Sequence, residues 1–280
     1  MKNSTGASHI SKLPAFESMN RKNQTETPHE FHPCSSQSVA SQTSGRLVGW
    51  VNSPEALSPA QRGRMYALLA HYFANVTRPH FEHDLAEKEW VILLTDIVSE
   101  QIQGFSTLMR LEVTVDGQPV VAFFSGDTII HQEYWGETAL PRLWGRHVFG
   151  LAETIRQARV YWFLISSGYK TYRFLSVFFR EFFPTYQRPT PPAVKRVLDA
   201  LGHLKFPGEY DSESGLIRFT RPSPLRSGVA RITERRFRDP HVAFFVAANP
   251  GHGRGDELAC LVELTYANLT AAGRGMMGLR

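Results

Sequence analysis

From residue 58 to residue 190 the chain alternates stripes of apolar residues at helical spacing with short unbroken apolar runs bounded by turn residues. Ser58-Pro59 offers an N-cap and a first-turn proline, and Met65, Leu68, Leu69, Tyr72 and Phe73 follow on one helical face. A shorter helix is expected from about 78 to 88, through His80, Phe81, Asp84 and Leu85. Trp90 to Leu94 reads as a buried strand, and Gly104 to Val113 as a second. Asp116-Gly117 separates that second run from Val120 to Phe124, a strong hairpin signal, so three strands form an antiparallel meander. The third runs on past Gly126, where a bulge or a close backbone approach is expected. Leu140, Leu143, Trp144, Val148, Leu151 and Ile155 then mark a helix over 139–157. Val160 to Ile165 follows as a central strand, and a strand, helix, strand connection sets it parallel to the third strand. Tyr172, Leu175, Phe178, Phe179 and Phe182 predict a helix that Pro184 closes. Beyond it the pattern predicts a helix over 192–204, strands over 215–219 and 242–247, and a final helix from Asp256 through Thr265. The fold class is therefore α/β with a mixed sheet, an antiparallel meander followed by a parallel strand-helix-strand crossover.

Composition divides the chain further. Residues 1–45 are rich in Ser, Thr, Gln, Asn and Pro and read as a disordered N-terminal tail, which leaves a core over 46–190 and an extension over 191–280 that completes the sheet and covers its edge. A net charge of +5 favours anionic partners, yet the arginines are dispersed without an aromatic-basic motif, so nucleic acid is not indicated. Cys34 and Cys260 cannot make a disulfide framework, no leader pattern opens the chain, and its apolar runs are too short to span a membrane. A soluble, cytoplasmic protein is expected.

The junction from Asp127 to Leu143 concentrates the candidate chemistry. A strand passes there through Gly136 into a helix whose free early amides, from Glu137 to Arg142 with Pro141 excepted, offer an anion site. If the strand stays regular past Gly126, Asp127, His131 and Glu133 share one face as candidate bases. His80 and His83 share a helix face, but no third and fourth ligand is indicated, so no metal is assigned. Gly251 to Asp256 resembles a phosphate loop only superficially, and Ser106, Ser125 and Cys260 lack a neighbouring base for covalent catalysis.

The order of elements over residues 58–250 resembles the GCN5-related N-acetyltransferase superfamily, whose third long strand enters a helix through an Arg/Gln-x-x-Gly-x-Gly/Ala turn. The matching stretch is Tyr134-Trp135-Gly136-Glu137-Thr138-Ala139-Leu140: Gly136 fits a loop glycine, Trp135 replaces a basic or amide residue, and Thr138 and Leu140 replace small ones. The resemblance implies direct acyl transfer from a thioester to a small amine in a ternary complex. The co-substrate would be acyl-CoA or acyl-pantetheine, with no permanently bound cofactor. Tyr134, Trp135, Gly136, Glu137, Thr138 and Arg142 would lie at the donor, while a backbone amide near Phe124 to Gly126, or Ser166, would hold the thioester carbonyl. Phe179 stands where the family places a proton-donating tyrosine, so Tyr169 or Tyr172 would have to substitute. The loose loop also fits an acidic acyl carrier protein as donor partner, as in acyl-homoserine-lactone synthases of similar architecture. Arg142, Arg146 and the six arginines of 221–238 would then face the carrier, and Phe178, Phe179, Phe182 and Phe183 would line an acyl tunnel or simply the core. The alternative is a catalytically degenerate binding module of the same fold.

Overall fold

The computed structural model describes residues 45–278. The expected N-terminal tail and Cys34 lie outside the described residues. In chain order the elements are β1 (Leu47–Asn52), α1 (Pro59–Tyr72), α2 (Arg78–Ala86), β2 (Trp90–Asp96), β3 (Ile102–Val115), β4 (Gln118–Ile130), α3 (Ala139–Thr154) and β5 (Arg159–Ser166). There follow α4 (Tyr169–Phe178), α5 (Pro192–Lys205), β6 (Tyr210–Asp211), β7 (Leu216–Ile217), α6 (Glu234–Phe237), α7 (Pro240–Ala248), β8 (Glu257–Glu263) and α8 (Ala271–Met277). One sheet runs in the order β1-β2-β3-β4-β5-β8-β7-β6. The meander β2-β3-β4 is antiparallel and β4 pairs parallel with β5, as the expected topology requires.

Local chemistry sets the elements that frame the centre of the sheet. Ser58 accepts from the Gln61 amide while the Gln61 side chain accepts from the Ser58 amide, a reciprocal cap that starts α1. Asp116 and Gly117 sit at φ 52° and 74°, the paired positive values of the hairpin turn that matches strand twist. The bulge expected at Gly126 is present: Ser106 pairs with Thr128 but Leu108 pairs with Ser125, so Gly126 and Asp127 together face Thr107. A Cβ on Gly126 would lie 2.6 Å from Thr107 Oγ1 and 2.8 Å from Lys88 Cε, so only glycine lets the bulge settle over the buried Lys88.

The sheet is covered on both faces. Leu143, Val148, Phe149, Tyr172, Leu175, Val242 and Phe245, from α3, α4 and α7, form one core with the inward side chains of β2, β4, β5 and β8. On the other face, α5 packs Val197, Leu198 and Leu201 against Phe124 and Phe163, and α1 and α2 pack Met65, Leu68, Phe81 and Leu85 against Phe105.

Three expectations are corrected. The run 242–247 is a helix and 257–263 a strand, the reverse of the pattern reading. Asp239 accepts from the His241 amide and Pro240 occupies the first turn, which starts α7, whereas β8 is apolar throughout because it is buried beside β5. The helix after β5 stops at Phe178: Phe179 is extended and bridges Leu269, and Phe183 bridges Leu261. The strand expected over 215–219 is reduced to Leu216–Ile217. β1 and α8 have no counterpart in the pattern reading.

Candidate active site

β4 and β5 stay paired from Val120 and Arg159 to Ser125 and Leu164. Beyond that point β4 continues along β3 to Ile130 and β5 along β8 to Ser166, so the two central strands part. A cavity of about 620 Å³ occupies the gap and reaches both faces of the sheet. On one face it is lined by Leu140, Trp144, Phe149, Phe174 and Phe178; on the other by His80, Asp84, Glu87, Lys205 and Glu209, with Asp127 and Glu257 between. An apolar arm and a polar mouth thus meet where the strands divide.

Two carboxylic acids face this point. The bulge turns Asp127 into the cavity, next to the ion pair that Lys88 makes with Asp84 at 2.6 Å. Loss of solvent, and then the Asp84 charge, push the Asp127 carboxyl up to about 7, against the opposing pull of Lys88. Glu257, the first residue of β8, is pushed up to about 8 by loss of solvent and by the Asp127 charge. Each is poised near neutral pH, where one acid and one carboxylate coexist. Glu257 escaped the sequence reading because it was placed at the start of a helix; an acidic residue opening a buried strand is the signal that would have found it.

Ser125 supplies a third group. Its Oγ accepts from Trp162 Nε1 at 2.9 Å and from Trp144 Nε1 at 3.1 Å. Both hydroxyl lone pairs are then engaged, and the hydroxyl proton is left to donate. Ser125 lines the cavity where β4 and β5 separate, so that proton has the cavity to serve.

Of the other residues singled out in the sequence, Phe124 and Phe179 line the same cavity. His131 and Glu133 do not, because the bulge breaks the alternation and the chain turns at His131 into a 3-10 turn over Gln132–Tyr134. The His131 ring packs against His71 and Tyr72, and Glu133 is exposed. Ser166 is buried and donates to the Gly168 carbonyl at 2.9 Å. No tyrosine lines the cavity among the described residues: Tyr172 donates to the Pro184 carbonyl at 2.9 Å, and Tyr169 faces a separate basin. His80 and His83 stand at the polar mouth, and no group of three or more metal-ligating side chains occurs among the described residues. The Gly251–Asp256 loop carries a 3-10 turn at His252–Arg254 and opens a strand. Cys260 is fully buried, and burial pushes its thiol well above the usual range.

The strand-to-helix loop divides its labour. Tyr134 is buried and donates to Asp96 at 2.8 Å, and Arg46 pairs with Asp96 at the same distance. The Glu137 carboxylate accepts from the Arg46 and Leu47 amides at 3.0 and 3.2 Å, so its charge anchors β1 instead of facing an anion. Thr138 precedes α3 without capping it through its side chain, and Arg142 keeps a buried Nε without a partner. Trp135 and Gly136 form one wall of a basin of about 480 Å³, whose other walls are Tyr169, Lys170 and Arg173 of α4 with Arg231 and Arg236. Lys170 Nζ sits 3.2 Å above the Trp135 ring, and Arg173 pairs with Asp239 at 3.0 Å.

No family model matches the chain, and no curated protein does. Among solved structures, it is similar to a conserved Enterococcus faecalis protein described as a probable N-acyltransferase, at 17% identity and a TM-score of 0.37 over 48% of this chain. The chain spans only 33% of that protein's length. It is also similar to the Escherichia coli GNAT family N-acetyltransferase YhbS in complex with CoA, at 17% identity and a TM-score of 0.35 over 49% of this chain and 71% of that one. A third likeness is to glucosamine-6-phosphate N-acetyltransferase from Arabidopsis thaliana, at 10% identity and a TM-score of 0.34 over 46% of this chain and 88% of that one. At these TM-scores none of the likenesses transfers an activity to this chain.

Proposed function

We propose that the protein is an N-acyltransferase that moves an acyl group from a pantetheine thioester to a small amine by direct attack. The observation that carries this reading is the cavity at the parting of β4 and β5, into which Asp127, Glu257 and Ser125 all project. Aminolysis of a thioester needs an amine freed of its proton, a polarised carbonyl and a proton for the leaving sulfur. Asp127, with the lower of the two raised values, takes a proton from the incoming ammonium at the polar mouth. The amine attacks the carbonyl carbon while the Ser125 hydroxyl donates to the carbonyl oxygen. As the C–S bond breaks, Glu257, still protonated near neutrality, supplies the thiolate with the proton that a tyrosine would otherwise give. The nitrogen gives up two protons in all: the first goes to Asp127 and from there to water at the polar mouth, and the second, lost as the adduct collapses, restores the proton that Glu257 has given to sulfur, so one proton is released per turnover.

The basin beside Gly136 is the donor's docking place in this reading. Lys170, Arg173, Arg231 and Arg236 surround it, and among the described residues only Arg173 of the four has a carboxylate partner. Such a basin suits the single phosphate of a carrier-borne arm as well as coenzyme A, and an acidic carrier protein would gain from the surrounding charge. Incubation with a panel of acyl-CoA and acyl-carrier donors plus amines, followed by free thiol, tests the proposal. Release that depends on the amine supports it. Absence of release with every donor, with ligand still bound, would leave the noncatalytic binding module.

A further inference from the structure

We infer that the apolar arm of the cavity is a chamber for a straight acyl chain much longer than acetyl, closed at its far end by α8; this rests on the acyl-transfer reading of the same site. The arm starts at the parting of β4 and β5 and runs between α3 and α4 as far as Phe149 and Phe178, with Leu269, Met276 and Met277 beyond. None of the residues that α3, α4 and α8 give to the cavity is charged. The whole cavity, mouth and arm together, is about 620 Å³, of the size that takes whole small-molecule ligands. Apolar voids of this kind hold water poorly.

The shape of the site also selects the occupant. The carboxyl groups of the lining all lie at the parting of the strands or on the side of α2 and α5, among apolar neighbours such as Phe81 and Phe206, and the side of α3, α4 and α8 carries none, which matches a molecule with a polar reacting head and a hydrocarbon tail. The end wall is built in. Thr270 binds the last turn of α4 twice, its amide to the Phe178 carbonyl at 3.0 Å and its hydroxyl to the Val177 carbonyl at 2.6 Å. Gly273 lies so close that a Cβ there would stand 2.4 Å from the Phe178 carbonyl oxygen. Met277 reaches α3, its Cγ 3.2 Å from where a Cβ on Gly145 would be. Methionine has the flexibility to yield to tails of different length.

Calorimetric titration of the full chain with acetate, octanoate and dodecanoate, beside thiol-release assays with acetyl, octanoyl and dodecanoyl donors, tests the chamber. Affinity should rise roughly fourfold for each methylene between octanoate and dodecanoate. Met277→Trp should lower dodecanoate affinity about tenfold and shift the preferred donor to shorter chains, whereas Phe178→Ala should shift it to longer ones. Chain-independent binding, or dodecanoate affinity unmoved in both variants, would overturn the inference. Chain-dependent binding without thiol release from any donor would keep the chamber and remove acyl transfer. Acetyl transfer without dodecanoate binding would do the reverse.

Discussion

At the scale of single residues, the cavity holds a division of labour that pH should reveal. Asp127 must be ionised to accept a proton, so kcat/KM should rise as pH passes through about 7. Asp127→Asn should cost on the order of 10²–10⁴ in kcat and abolish that rise, read from a pH series with the best donor. Ser125→Ala removes the only proton aimed at the carbonyl oxygen from this triad and should cost on the order of 10²–10³ in kcat, with a smaller change in KM. Stability should move the opposite way from activity. A carboxyl whose folded value is raised contributes stability that is fully present below its unfolded pKa near 4 and is lost as pH rises from there through the folded value, because the unfolded chain gives up the proton first. Chemical denaturation should therefore show the protein weakening between about pH 5 and pH 8, and Glu257→Gln should flatten the slope.

At the scale of elements, the bulge on β4 is what turns a strand residue into a site residue. Regular alternation would have carried Asp127, His131 and Glu133 together on one face; two residues opposite Thr107 break it, and only Asp127 reaches the cavity. Gly126→Ala puts a methyl within 2.8 Å of the buried Lys88 stem and 2.6 Å of Thr107 Oγ1. It should destabilise the fold by about 1–3 kcal/mol, read from denaturant midpoints, and lower kcat by displacing Asp127. The neighbouring loop makes a comparable substitution of roles. Glu137, the residue after Gly136 in the loop, is spent on the β1 amides, and side-chain cations from α4 and from the segment around α6 ring Trp135 and Gly136.

At the scale of the whole molecule, the segments that bracket the central strands finish the site. β8 brings Glu257 next to the parting of β4 and β5, α8 seals the apolar arm, and Arg231 and Arg236 complete the basin. Arg231→Ala with Arg236→Ala leaves the cavity intact, since neither residue lines it, and should raise KM for an acyl-carrier donor about tenfold while flattening its dependence on salt. Steady-state assays over a range of ionic strength measure both effects.

The sequence by itself determined the local framework: the capped α1, the Asp116-Gly117 hairpin, the long β3 and β4, the bulge at Gly126 and the parallel return through β5. Those features depend on neighbours within a few residues, or on the one connection that a strand, a helix and another strand allow. Asp127 was legible as a candidate from its place on the strand before the turn, whereas Phe124, Ser125 and Phe179 came only from the resemblance to the GCN5-related N-acetyltransferase superfamily. Only the tertiary structure decided which short apolar run was a strand. Val242 to Ala247 and Leu258 to Val262 are equally apolar; Asp239 and Pro240 give the first a helix start, and the second is a strand because the sheet edge beside β5 receives it. With that choice came Glu257, the two indoles that aim the Ser125 proton, the removal of Tyr172 to the Pro184 carbonyl, and the end of α4 at Phe178, which leaves Phe178 and Phe179 on the cavity and packs Phe182 against Tyr172 and His241. Each of these joins residues far apart in the chain, and their meeting is set by packing across the sheet, which no local pattern encodes.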